Sequence, residues 1–321
     1  MHNYFTIFKS IINILQNITI IIMNSNICAP RRYDKENNTC FDQEQLMEMA
    51  GAYNRYLTKN ALRPNNSRIS KSDDFIQIKN NKKYLLSELI KRFEKTCGND
   101  ELCITKQTFM NELVKEMRDE IIEETFRATG PNDPSEWLST FDIDNILTQY
   151  QNVYSDFLYL GAVPLDCGNL SFCSLYQVDF DKYYKDGTNY LGVVFNLDKH
   201  GQPGSHWVAL YVDLKNGEIN YCDSNGKGPL DDVVTIIDQF RDYYKKRTDK
   251  HAVYQFNKIP YQKDGSECGV YSSNFIIRRL SGEKFENIVQ NYLTFKDINS
   301  CRNVYFNNKT SKYQPHPKCD L

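Results

Sequence analysis

The run TGPNDPSE at residues 129–136 divides the chain. One glycine and two prolines in eight residues stop a helix that enters them, and the sequence changes texture across the break. Upstream, apolar residues recur at helical spacing. In DQEQLMEMAGAYNRYL they are Leu46, Met49, Ala50, Tyr53 and Leu57; in KYLLSELIKRFEK they are Leu85, Leu86, Leu89, Ile90 and Phe93. The stretch TKQTFMNELVKEMRDEIIEETF predicts a third helix. Downstream come short runs rich in Val, Tyr, Phe and Leu: DFLYLGAVPLD, YLGVVFNLD, HWVALYVDL, GEINYCDS and AVYQFNKIPYQ. These read as strands.

Two helices belong among the strands. PLDDVVTIIDQFRDYYKKR carries Val233, Ile236, Ile237, Phe240 and Tyr244 on one stripe, with Pro229 near its start. A second helix begins at Cys268 and runs through Arg279, with Gly282 as its terminator. The expected architecture is α+β: a small mixed sheet flanked by helices over residues 135–300, preceded by a mostly helical accessory module over 24–130. Residues 301–321, polar and proline-containing, read as a loop-like or disordered tail.

A formal charge of −2 on 321 residues gives no overall pull toward nucleic acid or anionic membranes. The basic run at 241–250 reads as a solvated helix face rather than a nucleic-acid site. Ten cysteines are scattered with no C-x-x-C and no Cys/His cluster at zinc spacing. A chain this long needs no covalent staples, so neither metal nor disulfides are expected, and the thiols imply a reducing compartment. Residues 1–23 are Ile-rich, but Lys9, Asn13, Gln16 and Asn17 interrupt them. They are too polar for stable membrane insertion. Two readings stay open: an over-extended reading frame ahead of a start at Met23, which is favoured, and a weak hydrophobic anchor.

The chemistry collects around QKDGSECGVYSSNFIIRRLSG, residues 262–282. Cys268 stands at a predicted helix N-terminus, where unpaired N–H groups and the helix dipole favour a thiolate. Gly265 and Gly269 let backbone or substrate come close. Gln262 can offer its amide to a developing oxyanion beside the Cys268 N–H. A nucleophilic thiol needs a base. Of the five histidines, His206 is the best placed, because it opens the strand HWVALYVDL.

Asp223 ends the next strand, and the hairpin between them decides whether it can orient His206. A two-residue turn at Asn216-Gly217 would leave His206 about 13 Å along the strand from Asp223. A four-residue loop, Leu214 to Gly217, pairs Asp213 with Glu218 and Asp223 with Val208. His206 then becomes a diagonal neighbour within reach. The longer loop is therefore expected.

The motif HW, followed 17 positions later by the Asp of YCDS and then by Q-x5-CG opening a helix, resembles the Ulp1-type cysteine proteases. That group includes the SUMO-specific proteases and, more distantly, the adenovirus-type proteases. The resemblance implies His206 as general base, Asp223 as its orienting acid, Cys268 as nucleophile and Gln262 as oxyanion donor. It places Trp207 and Trp137 along the substrate channel, although either could serve as a core residue. No cofactor and no metal are expected.

One position departs from the family: Glu267 precedes the nucleophile where Asp is common, and a longer acid can still cap or pair nearby. The helical module and the wording VVFNLDKHGQPGSHWVALYVDL are similar to homologues from large DNA viruses. In those the role is processing of structural precursors after Gly-Gly during virion assembly, in virion or host cytoplasm. The alternatives are an isopeptidase that removes ubiquitin-like modifiers and a non-catalytic binding module that keeps the fold. The presence of thiol, imidazole, acid and amide together argues against the last.

Overall fold

The structure is a computed structural model that describes residues 27–61, 74–171, 173, 175–263 and 265–320. Residues 1–23, with their two open readings, lie outside the described residues. The chain forms two compact units, 1–127 and 128–321.

The first unit is helical. Its helices are α1 (Gln43–Ala61), α2 (Lys82–Cys97), α3 (Glu101–Thr105) and α4 (Lys115–Glu123). The Asn81 side chain accepts from the Tyr84 N–H to start α2, and the Asp100 carboxylate accepts from the Cys103 N–H to start α3. Leu46, Met49 and Ala50 of α1 and Leu85, Leu86 and Leu89 of α2 are buried in one cluster. The single helix expected over 105–126 is instead three pieces, with a 3₁₀ turn at Thr108–Glu112 between α3 and α4. No residue there forbids a continuous helix. The turn buries Phe109 and Met110, and Phe109 stacks on Phe93 with centroids 5.0 Å apart. Tertiary packing overrides local propensity here.

The second unit is the α+β body. After α5 (Thr140–Val153), β1 (Phe157–Pro164) and α6 (Phe180–Lys185) come β2 (Tyr190–Asn196), β3 (Trp207–Asp213) and β4 (Glu218–Cys222). Then follow α7 (Asp231–Thr248), β5 (Val253–Phe256), α8 (Cys268–Leu280), α9 (Phe285–Gln290), α10 (Phe295–Ser300) and α11 (Arg302–Tyr305). The sheet order is β1-β2-β3-β4-β5, with parallel outer pairs and antiparallel inner pairs. All seven residues of β3 are buried, because helices cover both faces. On one face Val208, Leu210 and Val212 pack with the Val233-to-Tyr244 stripe of α7; on the other Ala209, Tyr211 and Cys222 pack with α8.

Every residue of α8 is buried, including its polar ones. Arg278 holds Glu283 through two 2.7 Å bonds, and the Asn274 amide donates to the Tyr305 hydroxyl and the Lys318 carbonyl. The tail supplies both partners of Asn274. Residues 301–306, read from sequence as part of a loop, are buried and include the helical turn α11. A fully buried central helix needs cover on its last open side, and the tail provides it.

The cysteine expectation is overturned. Four disulfides join Cys28–Cys40, Cys97–Cys103, Cys167–Cys173 and Cys301–Cys319, leaving Cys222 and Cys268 as free thiols. Each pair is only 6 to 18 residues apart, so it clips a local loop rather than stapling the core. Core size therefore said nothing about them. A 12-residue clip contributes about 3 kcal/mol in the chain-entropy picture. With them the argument for a reducing compartment falls away.

Candidate active site

The β3–β4 hairpin has the four-residue loop that reach required. Asp213 pairs with Glu218 and Ala209 with Cys222, a register that continues to Val208 and Asp223. The Gly217 N–H donates to the Asp213 carbonyl at 2.9 Å, and Gly217 adopts φ +74°, where a side chain would be strained. Asn216-Gly217 thus closes the longer loop, with the Asn216 side chain and N–H bonded to the Asp213 carboxylate.

That register brings His206 and Asp223 together: Nε2 lies 2.6 Å from Asp223 Oδ1. The Cys268 side chain is near enough to the same ring to act on its charge, so the imidazole stands between carboxylate and sulfur. Burial works against the charged ring, but the hydrogen bond to Asp223 and the electrostatic attraction of Cys268 and Asp223 outweigh it and raise His206 to about 9. Cys268 is the first residue of α8 and is 1% exposed. Gly269 beside it serves packing: a Cβ there would lie 3.0 Å from Leu138 Cβ and 3.3 Å from Trp207 Cδ1. Gly265 faces open space.

Asp223 is itself held firmly. Its N–H donates to Asn257 Oδ1 at 2.8 Å, and the Asn257 amide donates back to its carbonyl at 2.6 Å. Asn225 donates its N–H to Asp223 Oδ1, and its side-chain amide lies 3.2 Å from His206 Nε2. Gln262 is anchored to the same turn: its Oε1 accepts from the Ser224 hydroxyl at 2.5 Å. Sequence reasoning missed Ser224, Asn225 and Asn257. The first two carried a signal, because D-S-N-G is a turn whose polar groups bond locally; Asn257 carried none.

Glu267 pairs rather than caps. It is fully buried, faces Arg302 Nε at 3.2 Å and accepts from the Asn299 amide at 2.9 Å, and its side chain makes no capping bond to α8. The two tryptophans differ. Trp207 is 6% exposed and donates its indole N–H to the Leu138 carbonyl at 2.9 Å; Trp137 is 47% exposed. Both line a cleft of about 420 Å³ shared with Pro164, Asn196, His200 and Gln202. Among the described residues no His, Cys, Asp and Glu group could hold a metal, and no helix is long and apolar enough to cross a membrane.

Comparison with known proteins gives the family. Residues 188–313 match the Ulp1 protease family, C-terminal catalytic domain. A protein of Acanthamoeba polyphaga mimivirus named "Putative thiol protease" is 56% identical over 295 residues, covering 92% of this chain and 98% of that protein. The chain belongs to the Ulp1 family of cysteine proteases. African swine fever virus members, named cysteine protease or SUMO-1 cysteine protease, are 26% identical over 200 residues, covering 58% of this chain and 73% of theirs. The fold is shared with the crystal structure of the African swine fever virus protease, with TM-score 0.57 and 21% identity over 87% of this chain and 95% of that one.

Proposed function

We propose that this cysteine protease is an endopeptidase that processes viral structural precursors after Gly-Gly-like sites during virion assembly, using Cys268, His206 and Asp223, with Gln262 at the oxyanion. The observation that carries the reading is the 2.6 Å bond between Asp223 and His206, with Cys268 near enough to act on the same ring. In acylation, Sγ bonds to the scissile carbonyl carbon and the carbonyl π pair moves onto oxygen. Collapse of that oxyanion breaks the C–N bond, and the leaving amine takes the imidazolium proton. Water then repeats the attack on the thioester and releases the acid. The ring, neutral once it has given that proton to the amine, takes a proton from the water, and Asp223 keeps it oriented and stabilises its charged form whenever that form returns. The preference for residues without side chains next to the scissile bond rests on the resemblance to viral members of the family.

A second reading, removal of a ubiquitin-like modifier, is favoured by the African swine fever virus relative named SUMO-1 cysteine protease. It shares the chemistry but needs a docking surface for a folded modifier. Action in the virion or host cytoplasm belongs to the proposal and no longer rests on the thiols. Mapping new N-termini produced by wild type but not by Cys268→Ala tests the reading. Cuts after Gly-Gly in capsid or core precursors are expected. Efficient turnover of a modifier conjugate with no cut in any precursor overturns it.

A further inference from the structure

Ser224 lies between two residues of the proposed machinery in a way the reaction requires. It is 3% exposed and directly follows Asp223. Its hydroxyl donates to Gln262 Oε1 at 2.5 Å, and its carbonyl accepts the N–H groups of both Tyr261 and Gln262 at 3.0 Å. Three hydrogen bonds therefore join one turn residue to the Gln262 segment, and one of them engages a specific end of the amide.

An amide has a donating and an accepting end of nearly the same shape. A carboxamide free to rotate presents oxygen as readily as nitrogen, and oxygen would repel the developing negative charge. With Oε1 held by the Ser224 hydroxyl, the orientation of the amide is set, and its donating end is Nε2. We propose that Ser224 is a positioning residue for the reaction: it fixes the Gln262 amide so that nitrogen faces the oxyanion. The turn Asp223-Ser224-Asn225 then serves both halves of the chemistry, orienting imidazole through Asp223 and amide through Ser224. This inference rests on the proposed role of Gln262.

The test is a double-mutant cycle on the full chain with three readouts. In hydrolysis of a Gly-Gly peptide substrate, Ser224→Ala lowers kcat about 10-fold, the worth of one hydrogen bond, with KM little changed. Combined with Gln262→Ala it adds nothing further. Binding of a peptide aldehyde ending in Gly-glycinal, whose adduct with the thiol places an oxygen at the oxyanion position, weakens by the same factor as kcat. Alkylation of Cys268 by iodoacetamide, which forms no oxyanion, keeps its rate.

Ser224→Cys, nearly isosteric but a poorer donor, falls between wild type and Ser224→Ala, and gives the same readouts should the alanine variant fail to fold. Additive losses in the cycle, or alkylation falling in step with kcat, overturn the inference. Iodoacetamide reactivity of Cys268 that ignores His206→Ala would instead strike the proposed nucleophile, so the two failures are distinguishable.

Discussion

Cys222, at the end of β4, and Cys268, at the start of α8, sit in one hydrophobic cluster and are about equally hidden, 3% and 1% exposed. Their neighbours differ in kind. The Cys222 sulfur lies 2.9 Å from the Tyr261 hydroxyl, and burial pushes its thiol up to about 12. It is a small hydrophobe at any ordinary pH. Cys268 meets an imidazole backed by a carboxylate at the first turn of a helix. Burial therefore decides little about a thiol until its partner is named.

The largest expected effect separates the two sulfurs. Cys268→Ala should lower peptide hydrolysis by about 10⁴-fold or more. Cys222→Ala should leave turnover within about 2-fold and cost about 1–2 kcal/mol in denaturant unfolding, the price of a small cavity. Equal loss of turnover in both would erase the distinction.

Glu101 extends the contrast to the helical unit as a buried acid held by neutral donors. It accepts from the Thr39 hydroxyl and the Cys40 N–H, and burial raises it to about 7. A carboxyl raised in the folded state favours folding when protonated, so its contribution is present at pH 4.5 and lost as pH rises through about 7. Urea unfolding followed from pH 4.5 to 8 should show that loss, about 3 kcal/mol, and Glu101→Gln should flatten it. An unchanged slope in the variant would place the titration elsewhere.

His206→Ala should slow iodoacetamide alkylation of Cys268 about 10²-fold at pH 7, with Cys222 unlabelled in either protein by peptide mapping. Asn257→Ala frees both backbone groups of Asp223 and should cost about 2 kcal/mol of stability, with a fall in turnover that Asn257→Asp does not fully rescue. The smallest effect is a pH profile. His206 is raised above its ordinary 6.5 to about 9. Its contribution to stability is therefore complete below 6.5 and lost as pH rises through about 9. Acylation should fade over the same upper limb, and a rate that keeps climbing past pH 10 would contradict the protonated ring.

Local pattern made the five strands, the stripe of α7 and the start of α8 legible, because each depends on residues a few positions apart. The hairpin register was legible for a different reason: only one loop length lets His206 reach Asp223. What stayed hidden depends on folding distant segments together. The Glu267–Arg302 pair spans 35 residues, Asn257 reaches Asp223 across 34, and the four disulfides follow loop geometry that composition does not encode.

The closing tail has a practical consequence. Residues 301–320 carry Arg302 against the residue before Cys268, and Cys319 fastens the segment to Cys301. A chain trimmed at residue 300 as though the remainder were overhang would strip cover from α8 and strand the Glu267 charge in apolar surroundings. Protein produced under strong reductant would lack the fastening. Preparations that look inactive for either reason would report on how they were made rather than on whether the enzyme can cut.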